Sequence, residues 1–393
     1  MQPTLKTALQ KELVNILSYW TKYMPDEAHG GFYGKLGNDN IPLPGAVKGA
    51  VLNARILWTF AAAYNASANP LYLAMADKAY HYFAAHFIDA TYGGVYWTVA
   101  ENGQPAETKK QVYAIAFALY AYSEYYKVTQ DAAVLAVAIE LYQSIEAHSF
   151  DPVHGGYCEA FTREWQEISD LRLSDKDANE KKTMNTHLHV VEAYANLYTI
   201  WPDEKLCTQI QGLLRLFYDK IIDKKSGHLH LFFDEQWTVK SSNVSYGHDM
   251  EASWLLPEAA EIIQDETLIA RYRELALVMT NATITGGLDK DGGLWYEYET
   301  AQRHMIAEKH WWPQAEALVG FIHAWQLQPQ GRFLQHAVNT WHFIEQHIID
   351  KANGEWFWGV YKDYRVMEED KAGLWKCPYH NARACLEGIK RLG

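Results

Sequence analysis

In SYGHDMEASWLL, residues 245 to 256, His248 and Glu251 stand three residues apart among Ala252, Trp254, Leu255 and Leu256, neighbours apolar enough for a core. Burying ionisable groups without a partner or a use is costly. The same kind of residue recurs along the chain. Arg55 lies in KGAVLNARILWTF and Tyr113 in KQVYAIAFALY. In TMNTHLHVVEAYANLY, Asn185, His189 and Glu192 are spaced so that they share one helical face. KHWWPQAEALVGF carries Trp311, Trp312 and Glu316, and Trp375 precedes KCPYHNARACLE with its His380. Singly, each has a plain structural explanation: an arginine paired with a carboxylate, a satisfied core histidine, a core tryptophan. Their convergence on helix starts is what argues for a site.

Histidine suits proton transfer near neutral pH. Glu251 and Glu316 would also permit glycoside hydrolysis, which needs two carboxylates across a bond, but that reaction leaves three histidines without a task. A metal centre is not expected. His187 and His189 point about 200° apart on a helix, and His189–Glu192 and His248–Glu251 reverse the order of the di-metal motif. No serine or cysteine sits in a nucleophile elbow, and no Gly-rich loop suggests a nucleotide. Glu251, one turn on from His248, is expected to orient that imidazole and raise its pKa. The helix N-terminus lowers it, and the balance would hold His248 near neutrality.

The elements that position these groups follow from a repeat. Gly-aromatic turns recur as HGGFYG (29–34), TYGGVYW (91–97), HGGYCEA (154–160), SGHLHLFFD (226–234), DGGLWYEY (291–298) and NGEWFWG (353–359). One glycine from each (Gly31, Gly94, Gly156, Gly227, Gly293, Gly354) gives spacings of 61 to 71 residues, hence six units. Each turn reads as a short β-hairpin. Between the turns, apolar residues recur with helical period. Helices are predicted at about 5–23, 46–65, 70–88, 107–127, 130–148, 183–200, 203–222, 248–263, 266–283, 308–326, 330–349 and 377–391, paired around the six turns. The simplest closure is an all-α (α/α)6 barrel of twelve helices in six hairpin repeats, one domain over 1–393, with the short β-hairpins at one rim. An open solenoid would show polar capping repeats at its ends, and none is visible. The second helix of each unit should line the inside, and its N-terminus should reach the rim where the polar groups fall. Arg55 is the exception, read as lying mid-helix.

Bulk properties narrow the partners. The formal net charge of −13 argues against nucleic acid or an anionic membrane surface. No apolar run of transmembrane length occurs, and MQPTLKTALQKELVNIL has no signal-peptide core, so a cytoplasmic location is expected, as a monomer or weak dimer. The four cysteines lack metal or disulfide spacing. Aromatics make up 14% of the chain, which suits a core and also suits stacking against sugar faces.

The segments MNTHLHVVEAYANLY, GHDMEASWLL, KHWWPQAEALVGF and WKCPYHNARACLE, with GGFYG and NARILW, resemble the N-acylglucosamine 2-epimerase superfamily. Within it, the likeness is to the branch that inverts C2 of the reducing-end sugar of β-1,4-linked disaccharides such as cellobiose, lactose and mannobiose. The resemblance covers nearly the whole chain and implies an (α/α)6 barrel and a cofactor-free isomerase of small sugars. It implies ring opening, removal of the C2 proton, a cis-enediolate, and return of a proton to the opposite face. His248 and His380 match the family's acid–base pair. Arg55 and His189 would hold the oxyanion. Tyr113, Asn185, Glu251 and Glu316 would position hydroxyls or orient histidines, and Trp311 and Trp375 would stack on sugar rings. Asp177 lies in the insert REWQEISDLRLSDKDANEKK (163–182), expected to narrow the site at the rim. A monosaccharide 2-epimerase or aldose–ketose isomerase on the same barrel, and a non-catalytic carbohydrate-binding protein, are the alternatives. Members acting on N-acetylglucosamine take ATP as an activator, and the missing phosphate loop points away from them.

Overall fold

A computed structural model describes residues 2–393, which contain twelve α-helices. They are α1 (Gln2–Tyr23), α2 (Ala50–Ser67), α3 (Pro70–His86), α4 (Val112–Thr129), α5 (Ala132–His148), α6 (Met184–Tyr198), α7 (Glu204–Leu216), α8 (Tyr246–Ile262), α9 (Glu266–Gly286), α10 (Trp311–Leu327), α11 (Phe333–Phe343) and α12 (Tyr379–Arg391). Single π-turns, Phe217–Ile221 and Ile344–Ile348, prolong α7 and α11. The even-numbered helices form a closed inner ring, in which α2, α4, α6, α8, α10 and α12 each pack on the next and α12 returns to α2. The odd-numbered helices lie outside them. The predicted (α/α)6 barrel is therefore the observed one.

Composition explains which ring a helix joins. In α4 every residue from Val112 to Tyr125 is buried, so that helix is apolar all round. In α7 only Leu206, Ile210, Leu213 and Leu214 are buried, a single stripe facing inward. Asn69, Asp131, Asp203 and Asp265 cap the N-termini of α3, α5, α7 and α9 with their side chains.

The packing partners differ from the expected pairing around the Gly-aromatic turns. The close antiparallel neighbours are α2 with α3, α4 with α5, α6 with α7, α8 with α9 and α10 with α11, each joined by a short connection, and α1 packs on α12. Ala68 and Asn69 alone join α2 to α3, with Ala68 left-handed at φ 53°. Such a link can only fold a helix back on its neighbour. The Gly-aromatic segments are long arms that cross the rim instead.

Those arms also correct the starts of the inner helices. Lys48–Gly49, Lys110–Gln111, Lys182–Thr183, Val244–Ser245 and Glu308–His310 are extended; all but Val244–Ser245 fall at least partly where helix was predicted, whereas α8 begins at Tyr246, ahead of the predicted 248. These strands pair antiparallel with Thr98–Val99, Ala160–Phe161, Phe232–Phe233, Glu297–Tyr298 and Gly359–Tyr361 from the following arm. A bridge from Leu36 to Ala372 completes the circuit. Because α2 starts at Ala50 and not at 46, Arg55 is in its second turn, near the rim, and not mid-helix.

A buried ion pair fastens most arms. Lys48 meets Asp26 at 2.8 Å, Lys110 meets Asp89 at 2.8 Å, Lys182 meets Asp151 at 2.6 Å, Lys309 meets Asp289 at 2.7 Å, and Lys371 meets Asp350. At the turn the repeat glycine is needed sterically: Gly31 has φ +63°, and a Cβ there would lie 2.5 Å from the Tyr82 ring.

Candidate active site

The N-terminal ends of the inner helices surround a cleft of about 860 Å³. Arg55, Tyr113, Asp177, Asn185, His189, His248, Glu251, Trp311, Trp375 and His380 all line it, with Trp312 among them. Glu316 does not; it lies behind His380. Glu192, singled out with Asn185 and His189, is likewise set back, behind His189.

His380 enters from the first turn of α12, where its Nδ1 is 2.6 Å from Glu316 Oε1. The same oxygen accepts from Arg383 Nη2 at 2.7 Å, so the ring nitrogen is the donor and Nε2 is left with its lone pair. Burial, with the charges of Arg55 and Arg383 beside it, holds His380 well below the usual imidazole range. His248 enters from α8. Its Nδ1 is 2.8 Å from Ser245 Oγ. Burial pushes its pKa down to about 3, with His189 adding to the effect. Two expectations are corrected here. Glu251 makes no hydrogen bond to His248; its Oε1 accepts from Arg383 Nη2 at 2.6 Å. Burial dominates the His248 environment, so the imidazole is not balanced near neutrality.

Between the two histidines stands Trp312, its ring centroid 4.7 Å from His248 and 5.7 Å from His380. It fits there because Gly247 has no side chain: a Cβ would come within 2.5 Å of the indole. Trp311 is turned toward Trp358, 4.5 Å between centroids, and is only 2% exposed. Trp375 packs beside Trp97 and Tyr113 and is half-buried at the wall.

On the opposite wall, His189 Nδ1 lies 2.9 Å from Glu192 Oε2. Arg55 Nη2 donates to Tyr113 Oη at 2.8 Å, and its guanidinium lies 4.1 Å from the Phe117 ring. His187, two residues from His189, points the other way, as the helical geometry requires. Its Nε2 accepts from the Tyr157 amide at 2.8 Å, which makes it structural. Asp177 accepts from the amide and hydroxyl of Ser174, both at 2.9 Å, and thereby folds the loop over the cleft mouth.

Sequence reasoning missed Arg383. It sits under the cleft and binds Glu192, Glu251 and Glu316 together, with Tyr379 Oη donating to Glu192 at 2.6 Å. Its position three residues after His380 in α12 was the available signal, since that spacing shares a helical face. Burial would drive Glu192 upward, but Arg383 and His189 carry it down to about 2. Glu251 is pushed up to about 7 by burial and by the neighbouring Glu316. Ligand atoms of Glu251, Glu316 and His380 lie within 4.8 Å of one another, close enough for a cation. The Arg383 guanidinium already bridges those two carboxylates.

Three buried polar atoms at the cleft have no partner: Arg55 Nε, Asn185 Oδ1 and Trp311 Nε1.

Fold and site together define a helical toroid with a cleft of buried histidines, arginine and carboxyls at one mouth. Comparison with known proteins makes this specific. Residues 31–384 match the N-acylglucosamine 2-epimerase (GlcNAc 2-epimerase) family, and the chain belongs to it. It is 48% identical to the cellobiose 2-epimerase of Bacteroides fragilis, across 98% of this chain and 99% of that one. It is 38% identical to the cellobiose 2-epimerase of Dictyoglomus turgidum, across 99% of both. The solved cellobiose 2-epimerase of Bacillus thermoamylovorans superposes with a TM-score of 0.95 at 39% identity, covering 99% of this chain and all of that one.

Proposed function

We propose that the protein inverts C2 of the reducing-end sugar of β-1,4-linked disaccharides, with cellobiose as the type substrate, and that His248 and His380 carry the protons. The observation that carries the reading is the pair of imidazoles on α8 and α12, both held neutral, on either side of Trp312. Full-length likeness to cellobiose 2-epimerases supports the substrate class.

The sugar enters as the open aldehyde, whose carbonyl acidifies the C2 proton. One neutral histidine takes that proton on Nε2 and becomes imidazolium, leaving a planar enediolate. The negative charge now in the cleft raises the proton affinity of the second histidine, which takes a proton from solvent and delivers it to the opposite face of C2. The first histidine returns its proton to solvent, so protons and charge balance over a cycle. The reverse reaction exchanges the two roles. Arg55 and His189 hold the enediolate oxygens, a task on the order of 10²–10³-fold per donor. The inner-helix N-termini add their partial positive charge around the same mouth. Trp312 and Trp375 offer faces to the sugar rings, and Asp177 closes the end of the cleft over the second ring.

The test is incubation of the protein with cellobiose in D2O, without added metal or nucleotide, followed by NMR. Glucosyl-mannose bearing deuterium at C2 is expected. No exchange at C2, or turnover of free mannose but not of cellobiose, overturns the assignment. His248→Asn and His380→Asn are each expected to abolish turnover while cellobiose binding, read by calorimetry, survives.

A further inference from the structure

The two histidines are held differently. Glu316, a carboxylate on α10, anchors Nδ1 of His380, whereas Ser245 anchors Nδ1 of His248 at 2.8 Å. Ser245 occupies the N-cap of α8, where a serine ordinarily accepts from the helix amides, yet its side chain makes no capping bond. Thr183, at the same place before α6, does cap, accepting from the Thr186 amide at 3.1 Å. The Ser245 hydroxyl is thus diverted to the imidazole. Its backbone is fixed by pairing with Glu297, and the residue is 1% exposed. The far side of the His248 ring is confined by Trp312.

We propose that Ser245 is the positioning residue of His248. Its oxygen accepts the Nδ1 proton and leaves Nε2 as the nitrogen that exchanges protons with C2. A hydroxyl carries no charge, so it stabilises an imidazolium less than a carboxylate does. His248 and His380 consequently hold a proton with unequal strength, and the enediolate is partitioned unequally between return and inversion. This inference rests on the two-histidine reading above.

Removal of the hydroxyl acts on one histidine only. In Ser245→Ala the His248 ring is free to take the other tautomer, with Nε2 protonated and useless as a base. The effect depends on which epimer is supplied. From the epimer deprotonated by His380, the enediolate still forms but is reprotonated from the His380 side, so the starting sugar recovers with deuterium while product falls. From the other epimer, deprotonation itself slows, and exchange and product fall together.

The experiment compares wild type, Ser245→Ala and Ser245→Thr with cellobiose and, separately, glucosyl-mannose in D2O. It reads deuterium at C2 in recovered substrate and in product. Product formation by Ser245→Ala is expected to fall about 10²-fold, the lower range of an acid–base contribution. The ratio of deuterium in substrate to that in product should rise from one epimer and not from the other. Ser245→Thr, which keeps the hydroxyl, should restore both rate and ratio. A general loss of structure would lower all signals equally, so an unchanged ratio from both epimers overturns the proposal, as does wild-type turnover in Ser245→Ala. Failure of the two-histidine reading is distinct: the wild-type protein itself would then show no exchange at C2.

Discussion

Replacing Arg383 by methionine leaves three carboxyls, Glu192, Glu251 and Glu316, around an uncharged side chain of similar length. Arg383 is 1% exposed, so solvent cannot take its place. Breaking a buried ion pair by removing one partner costs about 3–5 kcal/mol. The environment of Glu192 gives a second measure. Its carboxyl is held at about 2 instead of 4.5, and each unit corresponds to about 1.4 kcal/mol, so about 3 kcal/mol rests on its charged form. For 393 residues the unfolding entropy is about 0.8 kcal/mol/K, so the melting temperature should drop by about 4–6 °C. The pH dependence is specific. In wild type the depressed Glu192 stabilises fully above about pH 4.5, and that support fades as pH falls toward 2. In Arg383→Met, burial is opposed only by His189 and Tyr379, so the same carboxyl rises and acid relieves the variant by neutralising it. The deficit should be largest at pH 8 and narrower at pH 5. Melts followed by circular dichroism at both pH values decide it. An Arg383→Met protein that melts with wild type at pH 8, or whose deficit is the same at both pH values, refutes the argument.

Arg55→Met should lower kcat on cellobiose by about 10²–10³-fold, as expected for one donor to a developing oxyanion, with steady-state kinetics as the check. Lys110→Met leaves Asp89 buried with only the partly exposed Arg163 to answer it, so about 3 kcal/mol of stability should be lost in urea titrations while KM stays near wild type. Glu159, pushed up to about 8 by burial, supports the fold fully below about pH 4.5 and loses that support as pH rises through 8. Glu159→Gln should therefore flatten the fall in melting temperature between pH 6 and pH 9.

The helical part of the fold was legible because inner and outer helices carry different apolar patterns, and the sixfold turn spacing fixed their number. The starts of the inner helices were not, because Lys48–Gly49 and its counterparts are held extended by partners some 50 residues later in the chain. Periodicity is local and does not register such pairing. The same limit hid the true helix partners, although the two-residue link before α3 was a usable sign. In the site, the residues on the cleft wall could be read from their shared helix starts. The layer behind them could not. Arg383 and Ser245 act through Glu316, Glu251 and His248, and a sequence shows neither contact. The expectation that buried charge marks the site was too narrow. Lys48, Lys110, Lys182, Lys309 and Lys371 are buried ions as well, and they fasten arms, away from the reacting groups. Their aspartates precede each repeat glycine by four or five residues, a regularity available in the sequence.

The ring closes where α12 meets α2, and outside it α1 packs on α12, with Gln2 Nε2 reaching the Leu392 carbonyl at 2.6 Å. In chain order α12 follows the other eleven described helices. It brings His380, Tyr379 and Arg383 with it. Without it Glu192, Glu251 and Glu316 face an unfilled gap without their counter-charge, and His380 is missing from the cleft. The helix that seals the barrel is therefore also the one that supplies the counter-charge for three buried carboxyls.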